Sequence, residues 1–299
     1  MELVLMSKGA NKVTGKIFQE IREKKNQTIM NTSEGIVTPQ FLRKYERDNG
    51  DIRFSNLIQL LNRLNTTIDE FVFEIDESMD CWFYLIEEEI DQAYHAGNSF
   101  LLKKFVEKQE RLYQETNENR FLFAAIIGKR FYNYIFLPSY TVDLSPIADY
   151  LRETETWGKF EFFLITYNGD LFKPEEAYYY AKKLVKQDHG SFEVRKWRHD
   201  AVLHLARYLI EEDQLALAEK ILLEYLNNLS PNRDMKYLHY DLYAKFVYGL
   251  LLIKKNDPKG PRQCERIIEI FVEDCGYLNY GNRLNIIYQS TVAQVKKAQ

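Results

Sequence analysis

From Cys81 to the C-terminus, turn chemistry is confined to eight short clusters: GNS, TNEN, LPSYTVD, NGDLFKP, QDHGS, LSPNRD, KNDPKGP and CGYLNYG. A β-rich chain needs a turn every few residues, whereas helices can run long between turns. Only 13 Gly and 7 Pro occur in 299 residues, and the segments between clusters carry apolar residues at helical spacing. The expected helices are 81–96, 99–117, 119–136, 143–152, 156–168, 174–188, 191–212, 214–229, 234–255, 261–275 and 280–297. They recur as pairs at a spacing of roughly 35–45 residues, the signature of a tetratricopeptide-like superhelix, although the strict repeat consensus is absent.

The first quarter of the chain reads differently. KVTGKIFQEIREKK (12–25) places Val13, Ile17, Phe18 and Ile21 on one helical face. QTIMNTSEG makes a short second helix that Gly35 stops. Thr38 caps a third, with Pro39 at its first position, where a missing N–H costs nothing. That helix, PQFLRKYERD, buries only Leu42 and Tyr45 and turns Gln40, Arg43, Lys44 and Arg47 outward. RFSNLIQLLNRLN gives a fourth, with Phe54, Leu57, Ile58, Leu61 and Leu64 inward, and TTIDEFVFEI a fifth that opens on a Thr cap with acids in its first turn.

Charge separates along the same line. Between Lys8 and Arg63 eleven bases face six acids, a surplus of +5; the whole chain is −4, so the remainder carries −9. A basic head on an acidic body suits a phosphate-binding module joined to a domain that does not bind phosphate, although a solvated basic face gives the same pattern.

Five short helices with a basic third resemble the phage-repressor-like helix–turn–helix domain, through REKKNQT (22–28), the run from Thr38 to Arg47, and LIQLLNRLNTTIDEF. The resemblance implies a recognition helix whose Gln40, Arg43 and Lys44 read bases, with Lys12, Lys16 and Arg47 on phosphates. It also implies a brace, Arg22 late in the first helix pairing with Glu46 in the third. Two positions depart from the pattern: Thr32 and Ser33 stand where a Leu-Ala pair is usual, and Asp48 where Gly often follows the glutamate. The whole chain resembles the Rgg/GadR/MutR family of Gram-positive bacterial transcription regulators, most specifically in the head and further through WGKFEFFLITYNGDLF (157–172). That resemblance implies an all-α protein: an N-terminal helix–turn–helix domain, 1–76, followed by a tetratricopeptide-like superhelix, 77–299, that dimerises and senses a peptide. The implied partners are double-stranded DNA, a second copy of the chain and a short signalling peptide on the concave face.

In such superhelices the first helix of each pair lines the concave face, here 119–136, 156–168, 191–212 and 234–255. Among their polar and aromatic residues, Arg130, Asn133, Tyr167, Arg198, Tyr240 and Tyr243 are the candidates for binding peptide. Phenols and amides can bond an extended backbone, and Arg can grip a carboxylate. Core packing explains aromatic stripes equally well.

No catalytic or metal constellation is legible, and no cofactor is expected. His199 and His204 are five apart, about 140° round a helix, which is unsuited to sharing a metal. H-E-x-x-H, phosphate-loop and G-x-S-x-G patterns do not occur, and IEEEID (86–91) reads as a solvated helix face. Three cysteines without C-x-x-C spacing, no cleavable leader after MELVLM and no membrane-length apolar run point to a reduced, cytoplasmic protein. Cys264 and Cys275, eleven apart, are expected on one buried helix face. The functional expectation is a sequence-specific, peptide-gated regulator. The alternative is a helical-repeat adaptor whose head docks proteins instead of DNA.

Overall fold

A computed structural model of the chain describes residues 14–48, 50–75, 86, 88–90, 92–93, 97–136, 138–186, 190–228 and 234–298. Every regular element among them is helical. Contacts group the chain into two compact units, 1–92 and 93–299. The boundary expected between 76 and 77 lies outside the described residues, as do Val13, MELVLM and residues 87 and 91 of IEEEID.

In the first unit, α1 covers 14–24, α2 Ile29–Ser33, α3 Pro39–Asp48, α4 Phe54–Arg63 and α5 Ile68–Ile75. One core holds them together: Ile17, Phe18, Ile21, Leu42, Tyr45, Leu60, Leu61, Leu64 and Phe71. Phe18 is its centre, with ring centroids 5.9 Å from Tyr45 and 6.4 Å from Phe71. Hydroxyl caps start the helices: Thr28 Oγ1 accepts from Asn31 N at 3.2 Å, and Thr38 Oγ1 from Phe41 N at 3.1 Å. Thr67 and Glu70 form a reciprocal capping box, Glu70 N donating to Thr67 Oγ1 and Thr67 N to Glu70 Oε2.

One expectation in this unit is corrected. Phe54, expected inward, is 68% exposed, and the core position on α4 falls to Leu60 instead. Leu61 and Leu64 are buried as expected and Leu57 packs against the core, so the stripe widens to take in Leu60 and leaves Phe54, at the very start of α4, in solvent. Thr32 and Ser33 are both fully buried in the place of an apolar pair, with Ser33 Oγ donating to Met30 O at 3.3 Å.

In the second unit, α6 is Ser99–Thr116, α7 Asn119–Ile135, α8 Ser145–Glu153, α9 Lys159–Tyr167, α10 Pro174–Val185, α11 Phe192–Glu211 and α12 Leu215–Asn227. A 3-10 turn precedes α13 (Leu238–Lys254), and α14 (Lys259–Glu269) runs into a π-helical turn, Ile270–Asp274, before α15 (Leu278–Ala298). Helix ends fall where the sequence supplies left-handed residues: Asn117, Asp213 and Asn256 all have φ near +57° (55°, 56° and 58°).

Packing follows the paired pattern. α9 touches α11, α11 touches α13 and α13 touches α15, while α10 packs on both α11 and α12. Rings extend the same row to α7, through Phe131–Tyr167 at 5.6 Å and Phe123–Phe160 at 6.1 Å. α7, α9, α11, α13 and α15 therefore form one continuous row, the first-helix row of a tetratricopeptide-like superhelix. The tightest junction is α13 on α14. A Cβ on Gly260 would meet Ile253 N at 2.6 Å and Gly249 O at 2.8 Å, and one on Gly249 would meet Cys264 Sγ at 2.7 Å.

The cysteine expectation is half corrected: Cys264 is buried, but Cys275 is exposed. Eleven residues of uninterrupted α-helix would bring both to one face. The π turn, closed by Cys275 N donating to Ile270 O, holds more residues per turn and rotates Cys275 off that face.

Candidate functional site

On α3, Leu42, Tyr45 and Glu46 are buried while Gln40, Arg43, Lys44 and Arg47 are exposed, so the four polar residues share the outward face. What fixes this face is the pair beneath it. Arg22 Nε and Nη2 donate to Glu46 Oε1 and Oε2, both at 2.7 Å, with 7% and 6% of the two residues exposed. The remaining arm, Nη1, donates to Gln27 O at 2.8 Å, so one guanidinium ties α1, the turn before α2, and α3. Hydrogen bonding to Glu46 raises the Arg22 pKa against the opposing effect of burial, so the guanidinium stays charged.

Arg63 adds a second strap that the sequence did not single out. Its Nη1 donates to Asn31 O at 2.8 Å and its Nη2 to Glu34 O at 3.1 Å, satisfying carbonyls at the end of α2 from α4. An arginine closing an otherwise apolar LIQLLNR stripe was its only signal. Lys16 is exposed, and Lys12 lies outside the described residues. Arg47 is held bidentately by Asp48, Nε to Oδ1 at 2.6 Å and Nη2 to Oδ2 at 2.7 Å. That bond pulls the Asp48 carboxyl below its ordinary range. Arg47 is therefore already paired with an exposed anion.

In the second unit the six peptide candidates do not form one cluster. Arg130 on α7 pairs with Asp170 at 2.7 Å, close to Tyr167, which packs against Phe131 and Phe163. Tyr240 and Tyr243 are buried on α13 against α11, with ring centroids 5.5 Å from His199 and 6.2 Å from His204 respectively. Asn133 is committed to its own loop, its Oδ1 accepting from Ser139 N and Tyr140 N and its Nδ2 donating to Tyr140 O at 2.7 Å. Arg198 is buried on the α11 face that carries Val202, Leu205 and Leu209, about 180° from Arg207.

The open face of α11 instead carries Asp200, His204, Arg207 and Glu211 at i, i+4, i+7 and i+11. Burial, with the Arg207 charge adding to it, pushes His204 down to about 3, and burial raises the Tyr243 phenol. Tyr280 on α15 is likewise raised, first by burial and then by Tyr243 and Asp200, which places these groups together. The site thus offers a neutral imidazole, neutral phenols, one guanidinium and the carboxylates of Asp200 and Glu211. Among the described residues no group of three or more His, Cys, Asp or Glu could hold a metal.

The His204 environment has a consequence for stability. A free imidazole takes its proton near pH 6.5, whereas the folded protein refuses it until about 3. The unfolded chain therefore binds the extra proton as pH falls through that window, and stability drops. In His204→Gln the melting temperature should decline less than in wild type between pH 7 and 4.5. The corresponding slopes of unfolding free energy should differ by up to about 1.4 kcal/mol per pH unit. Parallel melting curves would show that folded His204 accepts the proton normally.

Residues 102–274 match the family described as the C-terminal domain of HTH-type transcriptional regulator Rgg. Among solved structures, the chain is similar to the SHP pheromone receptor Rgg2 of Streptococcus dysgalactiae (TM-score 0.73, 18% identity, covering 93% of this chain and 100% of that one). A putative transcriptional regulator from Listeria monocytogenes EGD-e gives a TM-score of 0.74 at 17% identity, covering 95% of this chain and 98% of the other. PrgX in its complex with iCF10 gives 0.69 at 15% identity, covering 94% and 95%. At these identities the three structures speak for the fold.

Proposed function

Starting from the Rgg family of HTH-type transcriptional regulators, to which this chain belongs, we propose that it is a sequence-specific DNA-binding regulator gated by a short peptide. The single observation that carries the DNA half is the buried Arg22–Glu46 fork, which holds the basic face of α3 outward. An adaptor docking proteins through its head has no need of a rigidly set basic helix. Gln40, Arg43 and Lys44 read base edges, and Lys12, Lys16 and Arg47 hold phosphates. Two copies place two α3 helices about one helical turn of DNA apart, or a multiple of it.

The peptide half is supported by the similarity to structures described as a pheromone receptor and as the PrgX/iCF10 complex, and by the aromatic row from α7 to α15. We assign the ligand to that row, with Arg130, Tyr167, Tyr240 and Tyr243 among its walls. No helix among the described residues is long and apolar enough to cross a membrane, and the reading is of a cytoplasmic regulator rather than an enzyme.

Footprinting of the full chain on DNA flanking its own gene tests the reading. We expect one protected site with two half-sites, whose occupancy changes when peptides below about 3 kDa from culture medium are added. Absence of any protected site would overturn the DNA half. A footprint indifferent to every peptide fraction would overturn the gating half.

A further inference from the structure

The guanidinium of Arg207 is only partly used. Its Nη1 donates to Glu211 Oε1 at 3.0 Å, while Nε is buried with no hydrogen-bond partner among the described residues. Nε and Nη2 lie along one edge of the guanidinium plane, the edge that suits a carboxylate in two parallel hydrogen bonds. The same protein shows that edge in use, since Arg22 grips Glu46 through its own Nε and Nη2, both at 2.7 Å. In Arg207 the corresponding edge is unengaged. A buried N–H left unpaired carries a desolvation cost that an incoming acceptor removes.

Position matters as much as the free edge. Arg207 keeps 26% of its side chain in solvent while its Nε is covered, so an acceptor reaching that edge displaces the wall that covers it. It stands on the open face of α11, one turn from His204, whose ring approaches the buried Tyr243 of α13. Tyr243 and Tyr134, the latter exposed near the end of α7, both lie near enough to act on the Arg207 charge. Aromatic and apolar walls with one cationic anchor, here beside the Asp200 and Glu211 carboxylates, fix the direction of a bound peptide.

We propose that Arg207 is the carboxylate anchor of the ligand row, its Nε–Nη2 edge taking one carboxylate of the bound peptide. The inference rests on the peptide reading above and adds the ligand's required chemistry: a free C-terminus, or an Asp or Glu side chain. Glu211 does not forbid this. Its side chain is 47% exposed and hence screened, and it occupies Nη1 rather than the open edge. His204 remains neutral and brings no competing charge, while its ring N–H can donate to the same anion.

The test presents the full chain with three randomised octapeptide pools and identifies the retained peptides by mass spectrometry. The first pool has free C-termini and no acidic residues. The second has amidated C-termini with Asp and Glu allowed, and the third is amidated without acids and so bears no carboxylate. Wild type should retain the first or the second at about tenfold or more above the third, and which of the two it is identifies the source of the carboxylate. Arg207→Met should retain the favoured pool no better than the third, and Arg207→Lys should recover only part of the preference because it lacks the fork.

Equal retention of all three pools by wild type overturns the anchor while leaving the peptide reading intact, and it requires no variant. Undiminished preference in a folded Arg207→Met does the same. Retention of none of the pools overturns the peptide reading and the anchor with it.

Discussion

Replacing Arg43 and Lys44 together by alanine is expected to abolish sequence-specific binding of duplex DNA while leaving the fold untouched. Both side chains are exposed on α3, and the residues that seat the helix, Leu42, Tyr45 and Glu46, lie on its other face. Alanine is also the best helix former, so α3 itself loses nothing. Each well-made base contact discriminates by about 1–3 kcal/mol. Losing two costs roughly 2–6 kcal/mol, which spans the whole gap between specific and non-specific affinity in many systems. The measurement is a footprint by the full chain at fixed salt with competitor DNA. Weak salt-sensitive binding should survive through the phosphate contacts, without a defined boundary. A protected site of unchanged position and affinity would show that α3 does not read the sequence.

Arg22→Ala should produce the largest loss of stability in the head. It strands the Glu46 carboxylate, 6% exposed, without its two donors, and it removes the donor to Gln27 O. Breaking one partner of a buried ion pair costs about 3–5 kcal/mol, because the surviving charge remains desolvated. A small five-helix core has little in reserve against such a loss. Hydrogen exchange in the full chain reads it directly: protection across 14–75 should fall by about a hundredfold or more, while the second unit keeps its own. Arg22→Met combined with Glu46→Leu should recover much of that protection, since an apolar pair carries no stranded charge. It should not recover full DNA affinity if the fork also sets the angle of α3. Unchanged exchange in Arg22→Ala would mean that the pair contributes nothing to holding the head together.

Helix boundaries were legible because this chain turns only where its sequence spells turns. Asn117, Asp213 and Asn256 end helices in the left-handed region, and Thr28, Thr38 and Thr67 start them. The outward face of α3 was legible for a related reason, since a ten-residue helix with two apolar positions can rotate only one way. α11 was not. It runs twenty residues and packs on four neighbours, so apolar side chains occur all round it and its phase is unmarked. Arg198 and Arg207, half a turn apart on this helix, therefore could not be told apart as ligand contacts by spacing alone. Asn133 illustrates a second blind spot. An amide that ties a loop and one that clasps a peptide have the same composition and the same helix, and only the backbone of Ser139 and Tyr140 tells them apart. The exposure of Cys275 was hidden by a π turn, which inserts a phase change without any residue type that announces it.

The contact between Gly249 and Gly260 bears on how force travels through the second unit. Where Gly260 meets Gly249 O and Ile253 N, backbone lies against backbone, and the side chains that fill the rest of the junction, Cys264 and Ile253, are buried and leave little room to absorb a displacement. The two helices form a stiff plate, and a load on one edge is delivered at the other. Tyr240 and Tyr243 lie on that plate, facing α11, and Tyr288 of α15 reaches Glu265 of α14 at 2.8 Å behind it. A push from the ligand row against α13 therefore arrives at α14 and the C-terminal helix undamped, while the aromatic joints from α7 to α11, built of rings that can tilt, supply the compliance.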